Sequence, residues 1–560
     1  MSVLGKIWKI QNEEREASVL KKLLSNRGLN DETQIERFFH PSEAHDFHDP
    51  FLMKDMEKAM ARIGTAIEKE ERIMIFGDYD VDGITGAAIL VRALRTVGAK
   101  VSCRLPHRIQ DGYGLREKFV REFKKLDVKI IITVDNGISC YDETALAQSL
   151  GIDVIISDHH TVPEKIPPAF AILHPKVFGC GYPFIELTGA GVALKIAQAL
   201  FARHGRGDDA LAQERTQHLL DLACMGTIAD VGELRGENRY IVKEGLKILE
   251  HTRWPGLSRL KEVAGIEGKI TTHDIGFLIG PRINAAGRIS DPLHALKLLL
   301  HDAHEGGALA DHLEKLNRER QNMMVELMEI AEGLALPQNN DPVIIVHHPR
   351  FHAGVIGLIA ARLGERYARP AIAMEQREAL LVGSCRSTPD VNIVQALTAV
   401  KQHLSHFGGH AAAAGFDILP ENLTHFISDI KKHVGAARAA DASYQPIITI
   451  ECELPAAETS FKTVEILKWF EPFGAGNEAP RFLCRNVPVI GVGTVGKEAQ
   501  HLKITSTMNG MPFECIGFKL GHFADQISKG SVLDIVGELE ENVWRGNRKL
   551  QIKMLDFRLA

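Results

Sequence analysis

A chain of 560 residues, 45% hydrophobic and 25% charged, is long enough for roughly three or four domains, each with its own core. Its formal net charge of −6 excludes a protein that coats nucleic acid through bulk positive charge, so any phosphate binding must be local. Eight cysteines without a Cys-x-x-Cys pair exclude a zinc ribbon or a disulfide framework and suit a reducing cytoplasm, and no run approaches the ~18 apolar residues of a membrane span.

The first segment, residues 1–60, reads as an N-terminal extension without a motif, and MSVLGKIWKIQNEERE turns acidic where a signal peptide would stay apolar. Three segments between 61 and 240 then share one design. RIMIFGDYDVDG (72–83), VKIIITVDNG (128–137) and DVIISDHH (153–160) each carry an unbroken β-branched run that breaks into aspartate and, in the first two, glycine. Such runs suit strands buried on both faces of a parallel sheet. The intervening stretches 83–99 and 140–151 read as helices, which makes the pattern doubly wound α/β. Ligands of such sheets lie beyond the carboxyl ends of the strands, where all three acidic clusters fall. A further helix covers 187–205, and LDLACMGTIADVGELRGENR (220–239) places Asp230 after an apolar stretch.

Residues 241–336 read as helical. Apolar positions 309, 313, 316, 323, 327, 330 and 334 predict one long helix of roughly 40 Å, stopped by PQNNDP, that is either a core helix or a connector between two bodies. A smaller α/β domain is expected over 337–440, with strand, glycine-containing loop, helix and strand in 342–374 and a glycine-rich HFGGHAAAAGF at 406–416. From 446 to 560, short strands with turns such as MNGM and RGN predict an antiparallel OB-like β-barrel. The whole is an α/β multidomain chain ending in a β domain.

The chemistry gathers on Asp78, Asp80, Asp82, Asp135, Asp158 and Asp230 with His159 and His160. Adjacent strand residues face opposite ways, so His159 and His160 serve one site only if the strand has ended and the chain is turning. Two bare carboxylates ~4 Å apart repel by roughly 4 kcal/mol at an effective dielectric near 20, so several together demand cations or protons. Oxygen donors with one or two imidazoles suit Mn²⁺ or Mg²⁺ rather than zinc. An aspartate shared by two ions sets the spacing of two-metal phosphoester hydrolysis. For Asp78 alone, a helix cap or turn is the more ordinary role.

GDYDVDG, VDNG, DHH and GTIADV, in this order, resemble the four motifs of the DHH phosphoesterases, and FGGHAAAAG resembles the glycine-rich motif of the associated DHHA1 domain. With PHRIQDGYGL (106–115), GPRINAAGR (280–288), FHAGVIGLIAARL (351–363) and FEPFGAGNEAPRF (470–482), the set is similar to the single-strand-specific exonucleases of that family. The resemblance implies two ions. Asp80 and Asp135 would hold one, and Asp82, Asp135, His159 and Asp230 the other, with Asp135 bridging. His160 would face the scissile phosphate and Asp158 would orient the histidines. His160, Asp158 and Asp78 form the expected catalytic set. Many relatives place a histidine four residues before the first metal aspartate, where this chain has Phe76.

Glycines at 408 and 409 let backbone amides approach an anion, and a helix start after them would add a favourable dipole. Arg108, Arg282, Arg288 and Arg386 lie in segments of the same pattern, and arginine offers a planar fork to phosphate. The resemblance implies that Arg108, Arg282, Arg386 and Ser387 anchor a 5′ end and that His410 binds the phosphate near the cut, with His352 a further candidate. In the C-terminal domain, Trp469, Phe473, Phe482, Phe513, Phe518 and Trp544 with Lys497, Lys503, Arg545, Arg548 and Lys549 are the stacking and groove candidates, and Trp544 the foremost platform. A cleft too narrow for a duplex would explain single-strand specificity. The resemblance implies 5′-to-3′ hydrolysis of single-stranded DNA to mononucleotides in recombination and repair, a polarity that spacing and composition do not show. By resemblance alone, a single-strand-binding protein and a helicase are partners. The alternatives are a short-oligonucleotide or cyclic-dinucleotide phosphodiesterase, and a non-catalytic DNA-binding scaffold. The matching aspartates and both histidines argue against the scaffold.

Overall fold

The computed structural model describes residues 2–14, 16–204, 208–301, 303–377, 379–440, 446–508, 511–544 and 547–560. Two compact units share the chain: a larger one from residues 47–232 and 237–440, and a smaller one from residues up to 46, 233–236 and 446 onward. No described helix is long and apolar enough to cross a membrane.

Strand β1 (Ile7–Asn12) opens the chain and belongs to the smaller unit. The larger unit holds two sheets. The first is wholly parallel, built from β2 (Arg72–Gly77), β3 (Lys100–Arg104), β4 (Val128–Val134), β5 (Asp153–Ser157) and β6 (Ala171–Leu173) in the order β3-β2-β4-β5-β6. Its central runs, Ile73–Phe76, Ile130–Ile132 and Val154–Ile156, are buried on both faces, the reason they lack alternation. Ile75 pairs with Ile132, and Ile132 with Ile155, so the three strands end side by side. The strand order reverses between β2 and β4, which places the exits toward Asp78 and Asp135 at the topological switch point.

The helix Ala303–Ala335 has 33 residues, about 50 Å at 1.5 Å per residue, longer than the apolar spacing predicts because it starts ahead of the first apolar position. Its first half packs on the helices Pro255–Val263 and Gly280–Ile289. In its second half, Met324, Leu327, Met328 and Ala331 enter the core of the second sheet. It is thus core to both neighbours. The second sheet comprises β7 (Ile344–His347), β8 (Ala371–Arg377), β9 (Leu380–Arg386), β10 (Leu404–His410) and β11 (Ala413–Ile418), ordered β10-β11-β9-β8-β7 with only β7–β8 parallel. Alternate residues feed two cores: Ile344, Val346, Ala371 and Ala373 on one face, Val343, Ile345, Ile372 and Met374 on the other. The glycine-rich segment does not lead into a helix. Gly408–His410 pair with Ala413–Gly415 as an antiparallel hairpin, so the expected helix-dipole contribution is absent there.

In the smaller unit, β12 (Ile447–Glu453) pairs in parallel with β1. Strands β13 (Phe482–Val495), β14 (His501–Met508), β15 (Met511–Gly517), β16 (Val532–Trp544) and β17 (Asn547–Leu559) close as β13-β14-β15-β17-β16-β13, the five-stranded barrel expected of an OB fold. The helix Val19–Asn26, capped by Ser18, adds Val19 and Leu23 to the barrel core.

Candidate active site

Four chain segments supply the site, each through an element end. Beyond β2, Asp80 caps the helix Val81–Thr96 by accepting the Gly83 N–H at 3.1 Å, while Asp82 lies in its first turn. Beyond β4, Asp135 adopts a left-handed φ of 61°, a conformation aspartate tolerates better than most residues. Beyond β5, the chain turns through Asp158, His159 and His160. Asp230 caps the C-terminus of the helix Leu220–Ala229. The helix Gly189–His204 closes the floor: Asp82 accepts the Gly189 and Ala190 N–H groups at 2.6 and 2.9 Å. A Cβ on Gly189 would fall 2.5 Å from that of Asp135 and 2.8 Å from Asp82 Oδ2, so only glycine permits this approach.

Ligand atoms of Asp78, Asp80 and Asp135, of Asp82, His159 and Asp230, and of Asp135, His159 and His160 form three groups, each within 4.8 Å. His159 Nε2 lies 3.0 Å from Asp135, 3.6 Å from Asp230 and 3.9 Å from Asp82. Asp158 sits beneath: its Oδ1 accepts from His160 Nδ1 at 2.7 Å and from the His159 and His160 amides, and its Oδ2 from the Ile138 amide. Tyr113 donates its hydroxyl to the Asp135 carbonyl at 3.1 Å and lies 3.3 Å from His160 Nδ1. Phe76 points away from this cluster, into a core with Phe119 and Phe123.

The electrostatics call for cations. Burial, and then the charges of Asp230 and Asp80, push Asp82 well above the usual carboxylate range. Burial with Asp82, Asp80 and Asp78 does the same to Asp135, and burial with Asp80 to Asp78, whose Oδ1 is buried without a hydrogen-bond partner. Asp230 is raised to about 7 by burial and Asp80. Among the described residues no lysine or arginine pairs with Asp78, Asp80, Asp82, Asp135 or Asp230. Burial opposes charge on both histidines, and it wins at His159, which with His160 beside it falls to about 3. At His160 the Asp158 hydrogen bond and charge prevail and hold it near 9, while Asp158, despite burial, drops to about 2 through His160. A dense oxygen set with one neutral imidazole, unpaired with any lysine or arginine among the described residues, suits Mn²⁺ or Mg²⁺.

A cavity of about 920 Å³ adjoins His160. It is lined from the parallel-sheet side by Tyr79, Arg108 and Tyr113, and from the second sheet by Arg377, His406, Gly408, Gly409 and His410. Arg288 also lines it, donating to the Gly354 carbonyl at 3.0 Å, and burial together with Arg108, Arg320 and Arg386 lowers it to about 9. Arg386, at the end of β9, is lowered by burial and by Arg108. Arg108 packs over the Tyr79 ring.

Three expected binding residues are engaged within the chain itself. Arg282 is buried in an ion pair with Glu314 at 2.7 Å, because six positions along one helix turn it to a different face from Arg288. His352 caps the helix Ala353–Tyr367 through Nδ1, and Ser387 donates to the Val391 carbonyl.

Family models described as the DHH family N-terminal domain, the DHHA1 domain and the RecJ OB domain match residues 72–227, 340–436 and 450–556. The single-stranded-DNA-specific exonuclease RecJ of Escherichia coli (strain K12) is 32% identical over 555 residues, covering 95% of this chain and 94% of that protein. Its counterpart in Bacillus subtilis (strain 168) is 35% identical, covering 96% and 67%. The chain belongs to the RecJ family. The crystal structure of RecJ in complex with Mn²⁺ from Thermus thermophilus matches at a TM-score of 0.81 and 29% identity, covering 100% of this chain and 80% of that one.

Against this RecJ frame, the barrel candidates divide. Phe482 and Phe513 are core, Phe473 packs on that core, and Trp469 and Phe518 are exposed. Lys503 and Lys549 both pair with Glu514, and Arg548 pairs with Glu541. The side chain of Trp544, and Arg545 entirely, lie outside the described residues. Sequence reasoning did not single out Tyr79, Tyr113, Arg377 and His406; Tyr79, Tyr113 and His406 lie inside segments read for other residues, and Arg377 lies in none. It noted Arg288 but preferred Arg282, although helix periodicity separates the two.

Proposed function

We propose that this RecJ-family protein is a metal-dependent exonuclease that hydrolyses single-stranded DNA from the 5′ end and releases 5′-mononucleotides. One observation carries the reading: five carboxylates and two imidazoles from four distant segments converge without a lysine or arginine paired to those carboxylates, beside a cavity lined by Arg108 and Arg288, with Arg386 in electrostatic reach of both, and none of these three arginines has a carboxylate partner among the described residues. Asp80 and Asp135, assisted by Asp78, would hold one Mn²⁺ or Mg²⁺, and Asp82, Asp135, His159 and Asp230 the second. Bound there, such a pair supplies an acidified water and charge stabilisation for the phosphoryl oxygens.

The chain's own groups do the rest. Asp158 takes up Nδ1 of His160 and keeps that imidazole charged at neutral pH, leaving Nε2–H for a phosphate oxygen. Arg108, Arg288 and Arg386 offer forks to the terminal phosphate. Gly408, Gly409 and His410 present an extended edge for the phosphate near the cut. The 5′ polarity, the repair role, and a single-strand-binding protein and a helicase as partners follow from likeness to the RecJ family. A cytoplasmic setting is supported by eight free cysteines.

The deciding assay uses single strands labelled at either end, and duplex controls, with Mn²⁺, Mg²⁺ or chelator. Early loss of the 5′ label as mononucleotide, only with metal and only from single strands, is expected. Metal-independent cleavage, or equal rates on duplex, would refute it.

A further inference from the structure

His174 follows β6 directly and is completely buried. Its Nδ1 accepts the backbone N–H of Lys176 at 3.1 Å, so that nitrogen carries no hydrogen. Its Nε2, 2.8 Å from the carbonyl oxygen of His160, therefore holds the hydrogen and donates it. Two hydrogen bonds thus select one neutral tautomer. The carbonyl it engages belongs to the turn that carries both site imidazoles. Asp158 governs that turn from the other side, through the His159 and His160 amides and the His160 ring. Its own amide reaches the Leu173 carbonyl at 3.3 Å, so β6 and its exit residue hold the turn at two successive points.

We propose that His174 is a positioning residue, whose Nε2–H holds the His160 carbonyl and so sets the direction in which His159 and His160 project into the site. Without that donor the peptide after His160 is free to rotate. His159 then leaves its 3.0 Å approach to Asp135, and His160 loses its line to the cavity. The inference rests on the hydrolytic reading, and its test separates the two: an inactive wild type would fail that reading, whereas a comparison of variants within an active enzyme fails only this one.

The comparison is His174→Gln against His174→Met in the full chain, two side chains of similar length that differ in carrying a donor. Each is assayed on a single-stranded oligonucleotide well below its own Tm, with a Mn²⁺ titration of the rate. The Met chain is expected to lose about 10–100-fold in kcat, the range for outer-shell partners, with KM nearly unchanged and a higher Mn²⁺ midpoint. The Gln chain is expected to keep most of the wild-type kcat. Wild-type turnover in the Met chain overturns the proposal. So does a Gln chain that falls as far as Met, or a loss confined to KM. Should the Met chain not fold, the Gln chain decides alone, since a fold-competent Gln variant with collapsed kcat is incompatible with the donor's role.

Discussion

Arg108, Arg288 and Arg386 in the larger unit and Lys503, Arg548 and Lys549 in the smaller one are cations that a sequence presents alike. The barrel answers each of its three with a glutamate on a neighbouring strand or across the hairpin. The larger unit answers its three with backbone carbonyls, an aromatic face and one another, so that burial and mutual repulsion hold Arg288 near 9. Exposed, paired cations have already spent most of their attraction, and such pairs are worth little. Half-buried cations without a carboxylate partner retain it for an anion. Cation count along a strand is therefore a poor guide to phosphate affinity; partner count is the better one.

The contrast can be broken or sharpened by substitution. Asp135→Ala, which removes the carboxylate common to two donor groups, should cut Mn²⁺-dependent hydrolysis by at least about a thousandfold, read as initial rate on end-labelled strands. Arg288→Ala should lower kcat/KM by about 10–100-fold and reduce the salt dependence of log KM by about 0.7. An unchanged salt slope would remove Arg288 from phosphate contact. Cutting away the barrel must take residues 1–46 with 446–560, because β1 and the helix Val19–Asn26 complete that unit. The remainder should still hydrolyse dinucleotides while KM for long strands rises by about tenfold. Lys549→Ala, whose partner is Glu514, should move KM by less than about twofold at moderate salt.

Metal binding provides a pH test of the carboxylate half. Without metal, Asp78, Asp82, Asp135 and Asp230 bind protons more tightly folded than unfolded, so their contribution is present near pH 4 and is lost as pH rises, through about 7 for Asp230. His160, raised to about 9, contributes fully below about 6.5 and loses this through 9. His159, lowered to about 3, opposes the trend only below about 6.5, one proton against four. Divalent ions replace those protons, so the Tm gained on adding Mn²⁺ should grow from pH 5.5 to 8.5. A constant gain would detach the raised carboxylates from the metal.

Much of the larger unit was legible because its signals are local. Unbroken β-branched runs mark strands buried on both faces, and the aspartates after them are placed by the rule that ligands sit at strand ends. The three-four spacing likewise announced the long helix, though not where it begins. The hairpin at Gly408–His410 was not legible, since glycines that permit a loop also permit a tight strand edge. The pairing of Ile7–Asn12 with Ile447–Glu453 joins segments some four hundred residues apart with no motif in either.

By itself the sequence determined which residue types stand at the ends of buried strands, because apolar period and chain breaks are properties of neighbours along the backbone. It also determined that those acids need cations, because repulsion follows from number and proximity. Only the tertiary structure decided that Arg288 rather than Arg282 reaches the cavity, that Glu514 neutralises two barrel lysines, and that His174 holds the turn of His159 and His160. Those are facts of which face packs against what, and packing partners lie far away along the chain.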